Sequence, residues 1–148
     1  MKYQDGKIYK IADNTYTKMY IGSTTQSLSR RFSKHKSCYK GWQNGGYKKI
    51  SVFDLFNEFG IENCKIELIE AYPCNNRDEL EKKEGEHIRA NICVNKQIVG
   101  RTQREYYIEH KNDILTHMLQ KIQCECGCEV SHCHIARHKR TPKHLNNI

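Results

Sequence analysis

The sequence predicts an α+β fold: a small antiparallel sheet of about three strands flanked by helices, followed by a helical connector and a small metal-binding module. Three observations carry this. Short Ile- and Tyr-rich runs near the N-terminus are split by a polar turn, later segments space their apolar residues at helical intervals, and Cys and His crowd together near the C-terminus. At 148 residues the chain has room for one domain of about 100 residues and an appendage. The expected divisions are a domain over 1–100, a connector over 101–122 and a Cys/His module over 123–148.

Residues 7–12 and 18–22 read as the strands of a hairpin, with 13–17 as its turn. Ser27 is a good N-cap, and Leu28, Arg31, Phe32 and His35 follow at i, i+3, i+4, i+7 on one helical face. Residues 40–49, with Gly41, Gly45 and Gly46, read as a loop. A short apolar helix is expected over 51–59, stopped by Gly60. Residues 65–70 give a third strand ahead of Pro73, and Asn76 with Glu79 resembles a capping box opening a charged helix to about Ala90. From about Thr102 to Gln120 a polar helix-compatible stretch with a weak apolar stripe serves as connector.

Charge narrows the partner. The formal net charge is +8, and residues 14–53 hold eight Lys/Arg with no Asp or Glu, whereas ten acids crowd between Asp54 and Glu86. So concentrated a basic surface suits a phosphate backbone, which releases counterions when neutralised; a merely solvated charged face is the plain alternative. No apolar run of membrane-spanning length exists and the N-terminus lacks a hydrophobic signal core, so a soluble intracellular protein is expected, with no membrane partner. That setting argues against disulfides among the eight cysteines. Cys38, Cys64, Cys74 and Cys93 are scattered and read as small apolar residues.

Two helices carry polar groups on faces that otherwise point inward. Arg31 and His35 share the face of Leu28 and Phe32, and Glu84 sits between Leu80 and Ile88 at i, i+4, i+8. Buried charges need partners or a cleft. An inward Arg, His and Glu could serve phosphodiester cleavage, the Arg meeting transition-state charge and the carboxylate holding a metal; the alternative is a buried Arg–Glu salt bridge without chemistry.

In order and spacing, KIYKI with Tyr9, MYIGST with Tyr20, RRFSKH, LEKKEGEHI and CVNK resemble the GIY-YIG nuclease domain over roughly residues 3–100. The first motif departs in having Lys7 where the family has glycine, with Gly6 one place earlier. The resemblance implies a DNA endonuclease, of a homing or mobile-element kind, acting on duplex DNA. It makes Glu84 the sole protein ligand of Mg²⁺ (or Mn²⁺), an ion that keeps most of its waters. It makes Tyr9 the general base or water-orienting group, a role for which cationic neighbours such as Arg31, His35 or Lys10 would have to favour the phenolate. Tyr20 would position the nucleophile or phosphate, Arg31 would neutralise growing charge, His35 would relay a proton or hold Tyr9, and Asn95 would brace the site. The remaining tyrosines, Trp42 and the basic stretch 40–49 are weaker candidates for a nucleic-acid groove.

In CECGCEVSHCHIARHKRTPKH, Cys124-x-Cys126-Gly127 precedes His138, and five residues separate His138 from His144, a zinc-finger histidine spacing. The array is similar to the small fingers that follow nuclease domains in some large DNA viruses, which implies a virus-encoded protein acting in a host cell. Cys124, Cys126, His138 and His144 are the expected Zn²⁺ ligands, with Cys128 or Cys133 as substitutes and His132 and His134 close by. Arg137, Lys139, Arg140 and Lys143 give the module a basic face. Two further readings compete with the nuclease: an inactive zinc-dependent nucleic-acid-binding protein, and a structural zinc protein.

Overall fold

A computed structural model describes residues 2–148, which form two compact units, one reaching to Arg101 and one running from Thr102 to Ile148. In the first unit a 3-10 turn leads into β1 (Lys7–Asp13), which turns back as β2 (Met19–Thr24). The turn is held by the buried Asp13 carboxylate, which accepts hydrogen bonds from the N–H groups of Thr15 and Lys18, each at 2.9 Å. After α1 (Leu28–Gln43) and α2 (Val52–Phe59), β3 (Cys64–Ala71) pairs with the other edge of β1, so the antiparallel order is β2-β1-β3. The unit is completed by α3 (Arg77–Ala90). The predicted fold class is the observed one.

Helices cover both faces of this sheet because strand alternation gives each face its own apolar set. Tyr9 and Ile11 look towards α1 and α2 and pack with Tyr39, Val52, Phe53, Leu55 and Phe56. Ile8 and Ile21 look the other way and pack with Leu80 and Ile88 of α3. The open edge of β2 is covered from the chain after α3: Val94 donates its N–H to the Met19 carbonyl at 2.8 Å.

Residues 40–43, read from sequence as loop, instead complete α1. Tyr39 meets Phe53 edge-on and Trp42 lies tilted against it, at 5.5 and 5.4 Å between centroids. That aromatic packing outweighs the helix-breaking tendency of Gly41, about 1 kcal/mol. The partly buried Trp42 therefore packs against the core.

The second unit opens with α4 (Gln103–Leu119), started by a capping box between Thr102 and Glu105. No residue of α4 is buried. A small hairpin follows, β4 (Lys121–Gln123) with β5 (Glu129–Ser131), then a 3-10 turn and two single-turn helices, α5 (Ile135–His138) and α6 (Pro142–Leu145). The His117 ring of α4 meets His132 at 4.3 Å between centroids. Among the described residues no helix is long and apolar enough to cross a membrane.

Candidate functional site

At the first unit's site, Tyr9 stands opposite Gly22 in the β1–β2 ladder. A Cβ at Gly22 would lie 2.5 Å from the Tyr9 hydroxyl, so only glycine lets the ring lie across the neighbouring strand. The phenol is fully buried there, and its oxygen meets two groups from α1. Arg31 donates Nε–H to it at 2.9 Å, and Nε2 of His35 lies 2.8 Å away. Guanidinium can only donate, so the phenol oxygen accepts from Arg31 and turns its own proton to His35 Nε2, which a neutral imidazole leaves free to accept.

Electrostatics support those proton positions. Burial is the main cause pushing the Tyr9 phenol up to about 12, against the opposing pull of Arg31. Burial, then Arg31 and Lys34, drive His35 down to about 3, so its ring is uncharged near neutral pH. The expectation that His35 and Lys10 would act as cations for a phenolate is thus corrected. Lys10 projects from the other side of β1, where it pairs with Glu67 at 3.3 Å. Arg31 remains as the cation, half-buried and held more firmly protonated than usual: burial opposes its charge, but the nearby Tyr9, Tyr20 and Glu84 outweigh it.

Tyr20 sits edge-on to His35, ring centroids 5.7 Å apart, and burial again raises its phenol. Asn95 grips the open edge of β2 with both ends of its amide. Its Oδ1 accepts from the Ile21 N–H at 2.9 Å, and its Nδ2 donates to the Ile21 carbonyl at 2.8 Å.

Glu84 comes to the same region from α3 and is 8% exposed. Burial raises its carboxyl above the ordinary range, while Ser23, presenting its hydroxyl and backbone N–H, and the more distant Arg31 pull the other way. No ion pair joins Arg31 to Glu84 among the described residues; the arginine is engaged with Tyr9. Glu84 is therefore a penalised carboxylate lining a cleft, and a hydrated divalent cation fits such a donor because it would restore the ionised form. The structure thus brings Tyr9, Tyr20, Arg31, His35, Glu84 and Asn95 around one strand edge. Sequence reasoning missed Ser23, although it directly follows Gly22 at the end of the YIG run.

The second unit gathers Cys124, Cys126, His138 and His144, whose candidate ligand atoms all lie within 4.8 Å of one another. Cys124 Sγ is 3.4 Å from His144 Nδ1, and Cys126 Sγ is 3.1 Å from His138 Nε2. A tetrahedral zinc site with ordinary bond lengths has S···N edges of about 3.5 Å, so the donor set fits zinc in kind and spacing. Cys128, His132, Cys133 and His134 stand outside this group, and all eight cysteines are free thiols.

No family model matches the chain. A curated relative, "Uncharacterized protein 019R" of Invertebrate iridescent virus 6, is 32% identical over 84 residues, which span 57% of this chain but 28% of that protein. Among solved structures, the catalytic domain of homing endonuclease I-TevI and a mutant form of that intron endonuclease's catalytic domain each align with 57% of this chain. They cover 86% and 81% of those domains, with a TM-score of 0.43 and 22% identity in both cases.

Proposed function

We propose that this chain is a metal-dependent DNA endonuclease of the GIY-YIG type, hydrolysing phosphodiester bonds at the cleft between Tyr9, Arg31 and Glu84. The observation that carries the reading is the Tyr9 hydroxyl held between Arg31 and His35, next to the buried carboxylate of Glu84. A structural core has no use for a phenol, a guanidinium and a buried carboxylate that does not ion-pair with that guanidinium at one strand edge. The iridescent-virus relative is in keeping with a virus-encoded enzyme.

In this reading Arg31 keeps its terminal nitrogens for the non-bridging oxygens of the phosphate, where negative charge grows. Tyr9 would orient the attacking water with its remaining lone pair and take that water's proton as its own passes to His35 Nε2. Tyr20 sets the position of the phosphate, and Asn95 fixes the strand that carries Tyr20. Glu84 would hold Mg²⁺ or Mn²⁺, which supplies Lewis-acid charge to the phosphate. Residues 123–148 act as a zinc module that adds DNA affinity, joined through a connector over 101–122.

The test is nicking of supercoiled plasmid by the full chain, with and without Mg²⁺. Wild type should nick only with the metal, and Glu84→Ala should abolish nicking. Because burial raises the Glu84 carboxyl, its favourable contribution to folding belongs below the unfolded pKa and is lost as pH rises. Removing it at neutral pH should therefore leave the melting temperature unchanged or raised. A variant that still nicks at the wild-type rate would overturn the assignment. One observation favours an inactive nucleic-acid-binding protein: Tyr9 and His35 are both poor bases as they stand. Wild-type protein that binds DNA and never cuts it would decide for that reading.

A further inference from the structure

The cleft has two halves that share Glu84 and differ in their lining. On the Arg31 side the walls are mostly polar, with Ser23, Thr24, Thr25, Gln26 and Lys34 beside the acid Glu81. On the other side a lobe of about 380 Å³ is formed by Tyr20, Ile50 and Val99, with Ser51 and Gln97 supplying polar groups. From this geometry we infer that the second lobe is a pocket for one unstacked nucleobase, the base joined to the phosphate at Arg31 and Glu84. The inference rests on the phosphodiesterase reading above and adds a specificity site to it.

The lobe is built. Lys49 and Lys96, from opposite walls, both pair with Asp54, Lys96 at 3.1 Å. Ser51 Oγ accepts the Lys96 N–H at 3.1 Å, joining the same two walls a second time. Asn95 fixes the second wall to β2 through Ile21. The Val99 carbonyl lies against α3 where Gly85 has no side chain. A pocket so held costs little further ordering when a ligand enters.

Its contents favour a base over other occupants. A volume of that size stands at the small end of ligand pockets. Tyr20 and the half-exposed Ile50, 41% open to solvent, offer aromatic and aliphatic surface to a flat ring. The Gln97 amide can both donate to and accept from a base edge, and the lobe's two lysines share Asp54, which offsets one of their two charges. A phosphate on one side of Glu84 with a lobe on the other that offers both Tyr20 and Ile50 surface and the Gln97 amide matches the two ends of a single nucleotide.

The test uses the full chain and two probes, inorganic phosphate and the dinucleotide TpT, followed by NMR of the Ile and Val methyls and of the Arg and Lys side-chain nitrogens. Phosphate should shift signals of Arg31 and Lys34 and leave the Ile50 and Val99 methyls in place. TpT should shift both sets, and Ile50→Ala, which alters an exposed side chain outside the catalytic group, should weaken TpT by about three- to tenfold without changing phosphate binding. Ile50 and Val99 methyls that stay in place through a millimolar TpT titration overturn the pocket, even in an active nuclease. Methyls that respond in a protein that never nicks plasmid keep the pocket and overturn the nuclease reading instead.

Discussion

At the scale of single residues, the site's character comes from desolvation more than from paired charges. His35 is the clearest case, because burial holds its pKa near 3 against 6.5 for a free ring. A folded-state value below the unfolded one means the unfolded chain binds more protons between those limits. The stability is then whole above pH 6.5 and is lost as pH falls towards 3. Between pH 6.5 and 5 this amounts to ~2 kcal/mol. Urea unfolding of the first unit should show that loss, and His35→Gln should flatten it; an equally steep profile in the variant would place the titrating group elsewhere. Arg31 offers a kinetic test. As the cation bonded to Tyr9, its replacement by Ala should slow nicking by about 10²–10³-fold, corresponding to ~3–4 kcal/mol of transition-state stabilisation. A rate within tenfold of wild type would assign the phosphate charge to another residue, with Lys34 next in reach.

Between elements, the decisive contact is the chain after α3 laid along the open edge of β2 and over α3 itself. Gly85 makes this possible, since a Cβ there would run into the Val99 backbone carbonyl. Two effects oppose each other in Gly85→Ala. Helix propensity favours the alanine by up to about 1 kcal/mol, while displacing a packed backbone costs roughly 1–3 kcal/mol. The collision is with backbone, which cannot swing aside like a flexible side chain, so the clash should win. The variant should melt several degrees lower and nick more slowly as Asn95 loses its hold on Ile21; a higher melting temperature would show the segment is not packed there. These contacts also mark where sequence reading stopped. Helical periodicity alone turned Arg31, His35 and Glu84 inward, and the hairpin put Tyr9 and Tyr20 on adjacent strands. Periodicity carries no information on proton positions, which depend on how much water each group loses. Nor could it show Ser23 facing Glu84, Asp54 tying Lys49 to Lys96, or α1 running on to Gln43, because each depends on a partner distant in sequence.

For the whole molecule, the question is what keeps the second unit folded. Among its described residues only Cys124 and His144 are buried, and both belong to the four-residue Cys/His cluster. A unit whose interior consists of candidate ligands has almost no apolar surface to offset chain entropy, so a metal ion would have to supply the ordering free energy. Zinc at one equivalent per chain should therefore be found by elemental analysis. A chelator should abolish the second unit's cooperative transition and leave that of the first unit in place. Outside the cluster, Arg137, Arg140 and Lys143 are exposed and no acid follows Glu129. If all three contact phosphate, truncation after Gln120 should reduce the log–log salt slope of duplex binding by about 2.7, at 0.9 per contact. The truncated protein keeps Tyr9, Arg31 and Glu84, so it should still nick plasmid with Mg²⁺ at low salt while losing activity sooner as salt rises. Unchanged affinity and slope after truncation would remove DNA binding from the module, and complete loss of nicking at low salt would mean that catalysis needs it.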